Sequence, residues 1–164
     1  RRVASNATIW VRERLATAPA IYGLVGFQVL VAAESDDPDE PLVLVLLWSV
    51  LSFLGFYVAH VFAEVVARHG ADPLGTSIRK GFSHSAGMLY AAILPTLALL
   101  VCVLTRTEGD AASDWVLAVG MVVLAFLGYQ ATAQRGRPIW ARLLGGLLTA
   151  LVGFVVILLE YLVH

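Results

Sequence analysis

The stretch Leu42–Ala67 reads LVLVLLWSVLSFLGFYVAHVFAEVVA, and its first charged residue is Glu64. As a helix rising about 1.5 Å per residue, the uncharged part alone exceeds the ~30 Å hydrocarbon core of a bilayer. The rest of the chain has the same character. Of 164 residues, 59% are hydrophobic and 14% charged, and the mean hydropathy is +0.82, whereas a soluble domain carries about 25% charged residues. This composition excludes a soluble globular enzyme. A net charge of −1 supplies no basic field for nucleic acid. The single cysteine, Cys102, excludes a disulfide scaffold. The sequence specifies an integral membrane protein.

Working outward, four further apolar stretches occupy residues 18–33, 86–105, 115–133 and 143–163. Their connections are short and polar, so residues 1–164 read as one membrane domain, an all-α bundle of five transmembrane helices. Basic residues favour the cytoplasmic side. The N-terminal arm and loops 68–85 and 134–142 hold Arg1, Arg2, Arg12, Arg14, Arg68, Arg79, Lys80, Arg135, Arg137 and Arg142. The alternate loops, 34–41 and 106–114, hold Arg106 alone, with Glu34, Asp36, Asp37, Asp39, Glu40, Glu108, Asp110 and Asp114. This asymmetry predicts a cytoplasmic N-terminus and an outside C-terminus. Glu13 and Asp72 fall on the side the rule disfavours.

The first stretch is short and also fits a signal peptide, with basic residues before it and Val31-Ala32-Ala33 near its end. Cleavage there would make the acidic loop a new N-terminus, so a retained span is expected. Thr17-Ala18-Pro19 reads as its helix start. Before it, residues 5–15 set Ile9, Trp10 and Leu15 beside Arg12, Glu13 and Arg14, the pattern of a short interfacial amphipathic helix. A start at Arg1 rather than methionine points to residues upstream.

Membrane helices associate through small residues, because lipid offers no hydrophobic gain between them. Gly55, Ala59, Ala63 and Ala67 recur every four residues, as do Gly145, Thr149 and Gly153. Both stripes are expected to serve packing within the bundle before contact between copies. Ile9-Trp10-Val11-Arg12 is echoed by Ile139-Trp140-Ala141-Arg142, and Leu24-Val25-Gly26-Phe27 by Leu151-Val152-Gly153-Phe154. The unequal offsets favour chance over duplication.

Ionisable groups inside a span are the natural candidates for chemistry, since burying one costs at least ~2.5–3.5 kcal/mol. His60 and Glu64 share a helix face, with Tyr57 on its neighbouring edge. Such a pair can pass protons or hold a cation, and Gln28 can line the same path. The plainer reading ties Glu64 to Arg68, four residues on, and leaves His60 bonded to a carbonyl or hydroxyl on another helix. His84 lies near the start of the third span, where the 68–85 loop can bring it to His60 and Glu64. These three suit a divalent metal, and His60 with His84 suits an axial haem pair, although no H-E-x-x-H or E-x-x-H motif is present. Glu160 and His164 read as snorkelling groups at the outer end. Pro95 interrupts the third span, and Cys102 reads as a packing residue. No G-x-S-x-G, acyltransferase, histidine-box or phosphate-loop motif occurs, so the reading leans away from an enzyme.

The segment Tyr57-Val58-Ala59-His60-Val61-Phe62-Ala63-Glu64 resembles one that ends a span in small uncharacterised bacterial multi-span membrane proteins. The resemblance implies a family and no activity. Arginine in excess of lysine suits a GC-rich bacterial source and hence a bacterial plasma membrane. The expectation is a homo-oligomeric channel or carrier with His60 and Glu64 on a proton or cation path. Its alternatives are a non-transporting subunit or assembly factor of a larger membrane complex, and a metal- or haem-binding redox protein.

Overall fold

The computed structural model describes residues 17–35, 40–70 and 73–163. Five helices follow one another: α1 (Ala18–Glu34), α2 (Leu42–Ala67), α3 (Leu74–Thr105), α4 (Gly109–Ala133) and α5 (Ile139–Val163). No strand occurs among the described residues. The helix expected over residues 5–15, most of the acidic loop and His164 lie outside them, as does the side chain of Glu160. Three helices, α2, α3 and α4, are long and apolar enough to cross a membrane. With 17 residues, α1 is shorter, as is the described apolar part of α5, Ile139–Val155. The fold is all-helical and compatible with a membrane protein.

Local chemistry explains the helix boundaries. The Thr17 hydroxyl accepts the Ala20 N–H at 3.4 Å, and Pro19 occupies the first turn. At the other end of the chain's longest helix, Arg106 closes α3 in the left-handed region, at φ 53°. That helix starts at Leu74, well before residue 86, where hydropathy alone begins a span. Its added turns are held by packing, because Ser77, Gly81 and Ser85 form a buried small-residue face. A Cβ on Gly81 would lie 3.2 Å from Val65 of α2, so the two backbones approach closely there. Pro95 lies inside α3 and removes the donor for the Ala91 carbonyl. Beside it, the Thr96 hydroxyl donates to the Ala92 carbonyl at 2.7 Å, and the helix continues to Thr105.

The shortest helix is the centre of the arrangement. α1 touches each of the other four, which adjoin in chain order α2–α3–α4–α5, while α2 and α5 make no extended contact with each other. Eight of its residues are buried, among them Gly23, Leu24, Phe27, Gln28 and Val31. Phe27 meets Phe53 of α2 edge to face, with ring centroids 5.4 Å apart. Gly23 lets Met88 of α3 approach, and a Cβ there would lie 2.8 Å from the Met88 side chain. Phe27, Phe53, Met88 and Leu99 belong to one apolar core; Ala20, Leu24, Ala91, Leu124 and Leu127 form a second.

The most extensive pairing joins α4 and α5. Here the Gly145–Thr149–Gly153 stripe packs internally, as expected. A Cβ on Gly128 would collide with the Thr149 hydroxyl and the Gly145 carbonyl, and one on Gly153 would lie 2.7 Å from Leu124. Thr149 and Thr132 turn their hydroxyls back to the Gly145 and Gly128 carbonyls, at 2.8 and 3.0 Å, so neither brings an unmet donor into the contact. Gln28 seats α1 on this pair. Its amide is fully buried, donates to the Leu117 carbonyl at 3.0 Å, and lies where a Cβ on Gly120 would be.

The Gly55–Ala59–Ala63–Ala67 stripe is placed differently from the expectation of internal packing. All four residues are exposed, and nothing lies within 4 Å of a Cβ built on Gly55. α2 buries Val45, Ser49, Phe53, Tyr57 and Val61 instead. The physical reason is that large side chains on this row interlock with α1 and α3, leaving the small residues on the opposite face.

These contacts predict that Gly128→Leu overpacks the α4–α5 seam by about 1–3 kcal/mol or more, read as a lower Tm in detergent, whereas Gly55→Leu leaves stability within ~0.5 kcal/mol of wild type. Gln28→Met, which loses one interhelical hydrogen bond, is expected to cost only about 0.6 kcal/mol. A larger loss for Gln28→Met than for Gly128→Leu contradicts this ranking.

Candidate functional site

The end of the bundle where α1 begins, α2 ends and α3 begins brings together Tyr22, His60, Glu64, Arg68 and His84. Tyr22 is about one turn into α1, His60 about two turns before the end of α2, and His84 about three turns into α3. Because consecutive helices run in opposite directions, these positions fall at neighbouring levels. The Tyr22 hydroxyl lies 2.7 Å from His60 Nε2, a hydrogen bond whose direction follows the imidazole tautomer. The rings also meet edge to face, with centroids 5.2 Å apart. One turn along α2, Glu64 accepts from Arg68, with Nη2 at 3.2 Å and Nε at 3.3 Å. Its other oxygen faces His84 Nε2 at 3.7 Å.

The structure therefore brings His84 to Glu64, as the 68–85 connection suggested, and adds Tyr22, which sequence reasoning missed. The plainer expectation describes the observed contacts: Glu64 is tied to Arg68, and His60 is bonded to a hydroxyl on another helix. Glu64 is partly exposed, with 24% of its side chain open, and His84 more so at 47%. Neither carboxylate nor imidazole is sealed from its surroundings, so an uncompensated buried charge is absent from this group.

Other candidates lie elsewhere. Tyr57 is buried, with its ring 6.3 Å from that of Phe82 in α3. Gln28 lies against Leu117 and Gly120 of α4, so it does not extend the Tyr22–His60 pair. Between the polar end and the opposite end stand the packed apolar side chains of Phe27, Phe53, Met88 and Leu99. Cys102 is buried and free, as a packing residue should be.

Among the described residues, no three His, Cys, Asp or Glu side chains form a group able to hold a metal ion. His60, Glu64 and His84 thus form two separate contacts and not a ligand set. His60 Nε2 is turned to the Tyr22 hydroxyl and His84 Nε2 to the Glu64 carboxylate.

Comparison with protein-family models, with curated proteins and with solved structures gives no match.

The Tyr22–His60 contact is testable by a double-mutant cycle. Tyr22→Phe and His60→Leu should show a coupling of about 0.6 kcal/mol, the size of an interhelical hydrogen bond in a membrane protein. Additive losses within error would deny that contact.

Proposed function

We propose that the chain is a five-span bacterial plasma-membrane protein, cytoplasmic at its N-terminus, that works as a non-transporting subunit by associating with other transmembrane helices through α2. The observation that carries this reading is the exposed Gly55–Ala59–Ala63–Ala67 face. Small residues at every fourth position let a second helix approach closely enough for dispersion and backbone contacts to hold it. Of the three helices long and apolar enough to cross a membrane, α2 is also the least buried. The partner that fits such a face is another apolar helix, from a second copy or from a larger complex.

The arrangement of aromatic residues supports the five-span reading. Trp48 and Trp115 are exposed about two turns into α2 and α4, and Trp140 is exposed at the start of α5. The antiparallel fit of Gly145 to Gly128 and Thr132 sets Trp140 level with a position about 20 residues beyond Trp115, a separation of ~30 Å. Two tryptophan levels that far apart match the two interfaces of a bilayer. Short helices such as α1 are accommodated by local thinning and by snorkelling of flanking residues.

A second reading keeps proton or cation transport, favoured by the contact of Glu64 with His84 beside the Tyr22–His60 pair. Two imidazoles and a carboxylate at one end supply side chains of the kind that relay protons. The packed apolar core leaves the remainder of such a path to an interface between copies.

The two readings separate in one preparation. Association predicts that Gly55→Leu and Ala59→Leu lower the oligomeric or complexed fraction at least fivefold in size analysis, with no flux in proteoliposomes for wild type or variants. Gly153→Leu, which strikes the internal α4–α5 seam, should instead lower Tm. Proton or cation flux abolished by His60→Ala and Glu64→Gln overturns the association reading in favour of transport.

A further inference from the structure

The α4–α5 connection gathers positive charge where no carboxylate answers it. It reads Gln134-Arg135-Gly136-Arg137-Pro138-Ile139-Trp140-Ala141-Arg142, and no Asp or Glu occurs from Trp115 to Leu159. Gly136 takes the left-handed φ of +66° that closes the turn, and Pro138 directs the chain into α5. Arg135 and Arg137 are exposed. Arg142 folds back along the first turn of α5, and its Nε–H donates to the Arg137 carbonyl at 2.7 Å. That bond leaves its terminal nitrogens as donors for a planar pair of anionic oxygens. Among the described residues, none of these three arginines forms an ion pair.

An apolar surface continues directly from this charge. Ile139, Trp140 and Leu143 are each more than 60% exposed and begin the outward face of α5. Cationic groups at the level of an interfacial tryptophan, with an apolar helix face running away from them, match an amphiphile with an anionic head and apolar tails.

We infer that the α4–α5 turn binds the phosphodiester headgroup of an anionic phospholipid, with Arg135, Arg137 and Arg142 on the phosphate and the Ile139–Trp140–Leu143 surface along an acyl chain. The inference rests on the reading that α5 enters the bilayer at this turn on the cytoplasmic side, and it is independent of association through α2. Free phosphate shares the head chemistry but lacks tails, so the apolar surface favours the lipid.

The test uses the full chain, delipidated in a zwitterionic detergent. It is titrated separately with phosphatidylglycerol, phosphatidylcholine and inorganic phosphate, and bound lipid is counted by native mass spectrometry. Phosphatidylglycerol should bind at least fivefold more tightly than phosphatidylcholine, and each Arg→Gln change should weaken that binding about fivefold. The combined variant Arg135→Gln/Arg137→Gln/Arg142→Gln should show no headgroup preference, while Arg106→Gln on the opposite side leaves the preference intact. If the triple variant does not fold, the roughly fivefold weakening expected of Arg137→Gln tests the proposal alone. Equal affinity for the two lipids, or an unchanged preference in Arg137→Gln, overturns the proposal. Displacement of phosphatidylglycerol by millimolar inorganic phosphate assigns the turn to free phosphate and overturns the lipid. Release of the chain from cell membranes by alkaline carbonate overturns the membrane reading together with this one, whereas a retained chain without lipid preference overturns this one alone.

Discussion

Helices that leave one apolar environment for another gain little from burial, so they must be held by contact. Among the described glycines, the least room for a Cβ is on Gly128 of α4, where it meets Gly145 and Thr149 of α5. Much of the bundle follows from it. The α4–α5 pair forms a wall, Gly120 opens a recess in that wall, and the Gln28 amide of α1 enters the recess to bond Leu117. α1 then presents Gly23 to Met88 and Phe27 to Phe53, which fixes α3 and α2 around it. A short helix can occupy the centre because each neighbour supplies or receives one close approach.

The same economy explains why the polar end is unlike a buried catalytic site. Tyr22 bonds His60, and Glu64 bonds Arg68 and faces His84, so these contacts join three helices at the rim of the bundle. Their side chains remain partly open, so the cost of dehydrating a charge is limited. They bind α1, α2 and α3 together at the end where α1 begins. Beyond them the interior is apolar side chains in contact, which supports the proposed association through an outward helix face over conduction through one copy.

Much of this organisation was legible in the sequence, and the exceptions share a cause. The boundaries of α2 were readable to the residue because a mostly apolar run, with Glu64 its one charge, lies between Pro41 and Arg68. The start of α1 was readable because Thr17 and Pro19 act within a single turn. The early start of α3 was not, because Leu74 to Ser85 is held by a fit to α2 that hydropathy does not register. Tyr22 escaped notice for the same reason: its partner is 38 positions away on another helix. Glu64 and Arg68 were readable as a pair because a four-residue spacing fixes their proximity on one helix. The two small-residue stripes looked alike in sequence, yet one faces α4 and the other faces outward. Spacing reveals that a helix has a small-residue face; only the neighbouring large residues decide where that face points.

The outward placement of the α2 stripe is the centre of the account, and site-specific photo-crosslinking in native membranes tests it most directly. A photoreactive residue at Ala59 should yield one discrete protein adduct, identified by mass as a second copy or a defined membrane subunit. The same residue at Val122, exposed on α4, should yield lipid adducts alone. Lipid adducts alone at both positions would contradict the account.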